Sequence, residues 1–285
     1  MQVVDCHIHL FPPEVLADRG KFVELDAGFA LLYGDPRRRL VRAEEAIESL
    51  DAAGVAHAVA VGFGWSDLAV CSAQNDYLAD VMRRYPRRFS AFGSVQPKDA
   101  RRTVAEVGRL ARLGFRGIGE LMPHLQGYSL ADPSVMSPVA EAAEAHGLIV
   151  LSHSSEPVGH AYPGKGDVTP QAILALAERW PALKIIAAHW GGGLPFYELM
   201  PEVAAATRNV CYDTAASSLL YRADVFRVVA DVAGPERILF GTDYPLLSHR
   251  PFLRKVRASG LDEQALRQIL GGNAIRLLDL PIAAG

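Results

Sequence analysis

The sequence KIIAAHWGGG, residues 184–193, contains a pattern that recurs along the chain. Its apolar run predicts a buried strand, His189 stands at the carboxyl end of that strand, and three glycines then interrupt it. Four other segments repeat the pattern and end on a histidine or a carboxylate: Val3–His9, Phe115–Glu120, Leu148–His153 and Arg237–Asp243. We therefore expect the fold to gather these strand ends in one place.

Eight strand-like segments alternate with segments of helical spacing. The predicted strands are Val3–His9, Ala56–Phe63, Phe89–Val95, Phe115–Leu121, Leu148–Ser152, Lys184–His189, Val210–Asp213 and Arg237–Asp243. Eight such units in 285 residues predict a closed (β/α)8 TIM barrel, and no composition shift divides residues 1–285 into two domains. The segment from the first strand to about Leu40 is predicted to be a long loop over one end of the barrel.

The composition of the chain argues against several classes of binding partner and of cellular location. A net charge of −3 argues against nucleic acid or an anionic membrane surface, and the run Arg37–Arg39 is interpreted as solvent-exposed surface. Three widely spaced cysteines predict no disulfide framework. Since the sequence shows neither a charged leader nor an apolar run of membrane-spanning length, a cytoplasmic protein is expected.

Histidines and carboxylates stand at the carboxyl ends of the predicted strands, which share one face of a (β/α)8 barrel. His7 and His9 are two residues apart, so their side chains point the same way on a strand. The other groups expected at this face are Glu120, His153, His189 and Asp243. Imidazole and carboxylate ligands suit Zn²⁺ and also Mn²⁺, Fe²⁺ or Co²⁺, so the pattern predicts a divalent-metal site.

Each of these residues, taken alone, also has a structural explanation. A histidine at a strand end is commonly hydrogen-bonded in the core, and an aspartate before a helix commonly caps it. Glu120 has Arg116 and Lys98 as candidate ion-pair partners. The metal interpretation rests on the combination, because one fold brings all these groups to one face and buried ionisable groups need partners or a metal.

Several motifs together resemble the amidohydrolase superfamily, in particular its amidohydrolase-2 branch of metal-dependent TIM-barrel proteins. These motifs are Asp5-Cys-His7-Ile-His9, the strand end at His153, Ala188-His189-Trp-Gly-Gly-Gly, Phe240-Gly-Thr-Asp243-Tyr-Pro and Gly272-Asn273-Ala-Ile-Arg276-Leu-Leu. They run from one end of the chain to the other. The resemblance implies a metal-dependent barrel enzyme and leaves the substrate open.

The resemblance also implies roles for individual residues. The residues that match the family's usual metal ligands are His7, His9, His153 and Asp243. His189 matches a histidine that in relatives binds a second metal or acts in catalysis. Glu120 departs from the pattern of the branch's decarboxylases and is similar to the strand-four glutamate of TatD-type deoxyribonucleases, where a carboxylate bridges two metals. We expect one tightly held ion, Zn²⁺, with Glu120 as a direct ligand and a second site that is weak or empty.

The main functional prediction is a metal-dependent hydrolase of a small amide, ester or lactone. The metal would lower the pKa of a bound water toward ~7, Asp243 would accept its proton, and His189 would polarise the carbonyl or stabilise the oxyanion. The alternative is a nonoxidative decarboxylase of a small aromatic or unsaturated acid, with Arg222, Lys165 or Arg250 as a cationic clamp. A metal-binding barrel without catalysis, or a phosphodiesterase acting on nucleic acid, is the third reading, and the near-neutral charge argues against the nuclease.

Two segments are predicted to cover the barrel mouth, because βα loops build the site in this fold. They are Gly28–Pro36 after the first strand and Val158–Gly166 after the fifth. The side chains expected to line the substrate pocket are Tyr33, Trp65, Trp190 and Arg222. A small molecule is the expected substrate, and assembly into a homo-oligomer is left open.

Overall fold

The structure is a computed structural model that describes residues 1–280. An eight-stranded parallel barrel surrounded by helices confirms the predicted fold. Residues 281–285 of the predicted domain lie outside the described part of the chain. No helix within residues 1–280 is both long enough and apolar enough to cross a membrane.

The barrel strands follow one another in chain order, each hydrogen-bonded in parallel to the next. They are β1 (Val4–His9), β2 (His57–Val61), β3 (Phe89–Gly93), β4 (Gly117–Leu121), β5 (Ile149–Ser152), β6 (Ile185–Ala187), β7 (Val210–Asp213) and β8 (Ile238–Leu239). All eight are buried along their length except at Cys211, as expected for a parallel sheet covered by helices.

Helices fill the connections between the strands. They are α1 (Pro13–Ala17), α2 (Arg19–Leu25), α3 (Ala27–Tyr33), α4 (Ala43–Ala53), α5 (Leu68–Arg84), α6 (Ala100–Arg112), α7 (Pro123–Gln126), α8 (Pro133–Ala145), α9 (Pro170–Arg179), the turn α10 (Ala188–Gly191), α11 (Pro201–Ala206), α12 (Ser217–Leu220), α13 (Asp224–Ala233), α14 (His249–Arg257), α15 (Glu263–Arg267) and α16 (Asn273–Leu278). Two 3₁₀ segments, Leu194–Leu199 and Pro235–Arg237, and a π-helical turn, Gln268–Gly272, complete the regular structure of residues 1–280.

Backbone hydrogen bonds between β1 and the residues that follow β8 close the barrel. Cys6 N–H donates to Phe240 O (2.7 Å), and Asp243 N–H donates to His7 O (2.8 Å). Closure therefore places the first and the last of the predicted site residues side by side, although 236 positions separate His7 from Asp243 in the sequence.

The segment between β1 and α4 differs from the loop that the sequence predicts. It contains α1, α2 and α3, and the side chains of Asp18 and Asp26 accept backbone hydrogen bonds in the first turns of α2 and α3. Such caps satisfy N–H groups that a short helix leaves free. The segment does reach the barrel mouth, since Leu32 and Tyr33 line the cavity described below.

Two apolar layers hold the barrel together. The larger lies between the strands and the surrounding helices. The smaller fills the inside of the barrel with side chains from seven strands and α16, including Val59, Phe92, Leu151, Ile186 and Leu239. Because the interior is packed, the cavity that opens onto the barrel lies above its carboxyl end.

Glu198 attaches the 3₁₀ segment Leu194–Leu199, which follows β6, to residues of later elements. Its buried carboxylate accepts hydrogen bonds from Thr207, Tyr212 and Arg237. We expect Glu198→Ala to lower the free energy of unfolding by about 3–5 kcal/mol, because it leaves the mostly buried guanidinium without its partner. Urea denaturation measures the loss. The exposed Glu202→Ala is the control, expected within about 0.5 kcal/mol of wild type, and equal losses in both variants would contradict the assignment.

Candidate metal centre

Six side chains from five strand ends meet at the carboxyl end of the barrel. They form two groups of three, and within each group the candidate ligand atoms lie within 4.8 Å of one another. The groups are His7, His9 and Asp243, and Glu120, His153 and His189. All are buried except Asp243, whose side chain is 14% exposed. The fold thus brings together every residue that the sequence proposes as a metal ligand.

The first group presents two imidazole nitrogens and one carboxylate to the same point. The Nε2 atoms of His7 and His9 are 3.3 Å apart. Asp243 Oδ1 lies 3.3 Å from His9 Nε2 and 3.9 Å from His7 Nε2. Two imidazole nitrogens this close, with a carboxylate beside them, have the donor types and the crowding of a cation site.

Glu120 lies between the two groups. Its Oε1 is 3.1 Å from His153 Nδ1 and 3.3 Å from His189 Nε2. Its Oε2 is 3.4 Å from His9 Nε2 and 3.6 Å from His7 Nε2. The two candidate ion-pair partners, Arg116 and Lys98, do not contact it within the described residues. A single buried carboxylate therefore faces four imidazoles.

Asp213, which the sequence analysis did not single out, orients two of these histidines. Its Oδ2 lies 2.8 Å from His7 Nδ1, and its Oδ1 accepts hydrogen bonds from the backbone N–H groups of His189 (2.8 Å) and Ala215 (3.0 Å). A carboxylate behind a ligand histidine fixes the ring and its tautomer. Its position at the end of β7, matching the other strand ends, was the signal that could have identified it.

Contacts within the cluster favour the charged forms of His7, His189 and Glu120. Burial would lower the pKa of His7, but Asp213 and Glu120 raise it well above its ordinary value. Burial also opposes the charged form of His189, whereas Glu120 raises its pKa to about 9. Burial would raise the pKa of Glu120, but hydrogen bonds from His153 and His189 lower it well below its usual range. Protons and a cation would therefore compete for the same donors.

Left-handed backbone conformations aim two of the site residues. His189 has φ 56° and ψ 47°, and Asp243 has φ 61°. Such angles are uncommon for residues other than glycine and occur where surrounding structure enforces them. Lack of space also requires a glycine shortly after His189, because a Cβ at Gly192 would collide with the carbonyl oxygen of Ser155.

A cavity of about 590 Å³ opens onto the cluster. Its floor is formed by His9, Glu120, His153, His189 and Asp243. Its walls come from both predicted cover segments and from the loops after β7 and β8. A groove of about 680 Å³ between α5 and α6 is larger but contains none of the clustered residues, so we place the functional site in the smaller cavity.

The predicted pocket walls are partly wrong. Tyr33 lines the cavity, but Trp65 and Trp190 do not, because both are fully buried in the core. Trp65 Nε1–H donates to Gln74 Oε1 (2.7 Å), and Trp190 Nε1–H donates to Ser217 Oγ (2.6 Å). An indole whose N–H already has an internal partner packs as core.

The predicted cationic residues are also misplaced. Arg222 is 90% exposed and pairs with Asp224 (3.3 Å), and Lys165 donates to backbone carbonyls of its own loop. The cavity is instead lined by Arg37, Arg38 and Arg39, which are solvent-exposed, as the sequence analysis expected, and also lie beside the site. Because α1, α2 and α3 turn the chain back across the barrel mouth, this run lies at the rim of the site.

The donor set fits a divalent ion. Four imidazoles and two carboxylates converge, and within residues 1–280 no lysine or arginine forms an ion pair with Glu120 or Asp243. A divalent cation would supply the positive charge that these carboxylates otherwise obtain from protonated histidines. Both zinc and manganese accept such nitrogen and oxygen ligands.

A family model described as "Amidohydrolase" matches residues 4–280. The chain belongs to the amidohydrolase family. This confirms the resemblance drawn from the histidine and aspartate motifs. The match includes all eight strands and therefore every member of the metal cluster.

Curated relatives of this chain are named as decarboxylases. The 2-amino-3-carboxymuconate-6-semialdehyde decarboxylase of Dictyostelium discoideum is 26% identical over 238 residues, which are 72% of this chain and 65% of that protein. The chain thus matches just under two thirds of that relative. The 6-methylsalicylic acid decarboxylase of Penicillium expansum is 24% identical over 244 residues, 73% of this chain and 74% of that protein.

Solved structures show the same fold. The 5-carboxyvanillate decarboxylase of Sphingomonas paucimobilis superposes with a TM-score of 0.82 at 21% identity, over 98% of this chain and 99% of that one. The same enzyme from Novosphingobium aromaticivorans, solved with manganese and 4-hydroxy-3-methoxy-5-nitrobenzoic acid, gives 0.77 at 22% identity, over 98% and 96%. The second of these structures contains manganese, whereas the zinc expected from the sequence is named for neither.

The main functional prediction, a hydrolase, is wrong. The named relatives are decarboxylases, which is the alternative drawn from the same motifs. The motifs could not decide between the two, because the residues that carry them are metal ligands and both reactions use a metal.

Asp213 generates a prediction about the cluster. Asp213→Asn keeps the shape of the side chain but removes the charge that orients His7. We expect Mn²⁺ affinity to fall about 10–100-fold, the range typical of partners behind a ligand. Isothermal titration measures the affinity. Asp224→Asn, at an exposed aspartate, is the control and should bind like wild type, whereas unchanged binding by the Asp213 variant would remove it from the site.

Proposed function

We propose that this protein is a metal-dependent, nonoxidative decarboxylase of a small aromatic or unsaturated acid. The match to relatives named as decarboxylases carries the proposal. The cavity supports the proposal, because the candidate metal ligands form the floor of the cavity and arginines lie at its rim. An acidic substrate of suitable length would contact the metal centre at one end and an arginine at the other.

The reaction requires a bond to break and a proton to be delivered. The bond between the carboxylate carbon and the neighbouring carbon breaks, CO₂ leaves, and the electron pair that stays on the neighbouring carbon takes up a proton. A divalent ion held by the cluster would act as a Lewis acid that withdraws charge from the substrate's oxygens. We assign proton delivery to Asp243 and His189, which both line the cavity.

The proposed ligands of one tightly held ion are His7, His9, His153 and Asp243, with Glu120 as a further direct ligand. Glu120 also lies within reach of His189, so the same cluster offers donors for a second ion. The donor set suits zinc and manganese alike. Elemental analysis distinguishes both the ion and the stoichiometry.

The rim supplies the contact that orients an acid. Arg37 is paired with Asp35 (2.7 Å), whereas neither Arg38 nor Arg39 forms an ion pair within residues 1–280. Arg39 is held by Tyr244, with its guanidinium carbon 5.7 Å from the ring centroid. A guanidinium fixed against an aromatic face is ready to bind a carboxylate.

Apolar side chains separate rim and floor. Leu32, Met122, Leu219 and Leu246 line the cavity, and the ring of Tyr33 packs on Phe11 and Phe29 beside it. Such walls suit a planar ring or a conjugated chain and keep bulk water from the carbanion-like carbon. Tyr33 therefore remains in the proposed substrate site.

The activity is tested with Mn²⁺-loaded protein and a panel of hydroxybenzoic and unsaturated dicarboxylic acids. We expect CO₂ release from at least one acid, and loss of that release on chelation. Lactones and amides are run in parallel. Metal-loaded, folded protein that hydrolyses these and releases no CO₂ from any acid would contradict the proposal.

The rim arginine gives a second prediction. Arg39→Gln should raise KM for the acid and lower kcat/KM by about 10–100-fold, the value of a hydrogen bond to a charged group, with Mn²⁺ affinity unchanged. Arg222→Gln removes an arginine that the sequence favoured but the cavity does not contain. It should behave like wild type, and a reversed ranking of the two variants would return Arg222 to the site.

A further inference from the structure

Ser155 joins the metal cluster to the cover segment, residues 158–166. His153 Nδ1 faces Glu120 in the cluster, and His153 Nε2 lies 3.0 Å from Ser155 Oγ. The backbone N–H of Gly166 donates to the same oxygen at 3.0 Å. One buried hydroxyl therefore contacts both a candidate metal ligand and the end of the segment that covers the cavity.

A second contact connects the same two parts of the molecule. The ring of His124 lies 4.9 Å from the ring of His153, and Gly166 packs against His124, where a Cβ would collide with the imidazole. Gly166 does not have a positive φ, so space and not backbone conformation demands glycine there. In this position, the cover segment therefore approaches His124 tightly.

The cover itself has few other attachments. It has no regular secondary structure, and Val158 is 74% exposed. Tyr162 O–H donates to Glu156 Oε2 (2.9 Å), and Lys165 Nζ donates to Val158 O and His160 O, both within the segment. Segments with few buried contacts open at low free-energy cost. Loss of the Ser155 contact should therefore lower the free-energy cost of opening the whole cover segment.

We propose that Ser155 is a positioning residue that couples ion binding at His153 to closure of the cover segment, an inference that rests on the proposed metal centre. With Nδ1 turned to the cluster, an ion there leaves the ring proton on Nε2, and Ser155 Oγ is its acceptor. The serine is thereby fixed in the position that also receives Gly166 N–H. By linkage, closure of the cover must strengthen ion binding by the same factor by which the ion favours closure.

Hydrogen exchange and Mn²⁺ titration test this coupling without any substrate. In the wild type, saturating Mn²⁺ should slow amide exchange across residues 158–166 about fivefold or more, the lower end of typical coupling between sites. Ser155→Ala should bind Mn²⁺ about tenfold more weakly and show the same cover exchange with and without the ion. Ser154→Ala is the matched control, because its buried hydroxyl donates to Ala188 O instead, and it should behave like wild type.

Gly166→Ala tests the reverse direction. The added methyl displaces the cover from His124 while every cluster residue and Ser155 stay intact, and Mn²⁺ affinity should still fall several-fold, within the range of typical coupling. Val158→Ala, an exposed change in the same segment, should leave affinity unchanged. Wild-type protein that binds no Mn²⁺ would refute the metal centre and this inference together. Mn²⁺ binding with no change in cover exchange, or the same change in Ser155→Ala, would refute the coupling alone.

Discussion

The buried carboxylate of Glu120 is the constraint on which the site depends. It faces four imidazoles from three other strands, and burial would neutralise it if those partners were absent. Within residues 1–280, no lysine or arginine forms an ion pair with it. The barrel must therefore close with β1, β4, β5 and β6 at matching heights, and the hydrogen bond from Asp243 N–H to His7 O brings the residues after the last strand to the same level.

Local backbone geometry and a hidden carboxylate complete that arrangement. His189 and Asp243 reach the cluster through left-handed conformations that the surrounding structure enforces. Asp213 binds the ring of His7 and the backbone of His189 at once, so it fixes one residue from each of the two ligand groups. A cation at the cluster would thus find its donors oriented before it arrives, which lowers the reorganisation needed on binding.

The same cluster leaves the reaction undetermined, and the rest of the cavity narrows it. Metal ligands serve hydrolysis and decarboxylation alike, so the case against a hydrolase comes from relatives named as decarboxylases and not from the motifs. The cavity has arginines at its rim and apolar side chains on its walls, and the guanidinium of Arg39 packs on the ring of Tyr244. These features support the proposal of a planar, largely apolar acid as the substrate.

The sequence by itself determined the barrel and the candidate ligands, because strand ends in a (β/α)8 fold share a face and ligand chemistry can be read from residue type. It also placed Tyr33 and the two cover segments at the mouth. It misassigned Trp65, Trp190 and Arg222, it did not place the exposed run Arg37–Arg39 at the rim of the cavity, and it missed Asp213. These depend on which way a loop turns and whether a side chain already has a partner. Only the tertiary structure decides such contacts, since residue type and local spacing do not show which way a side chain points or which partner it meets.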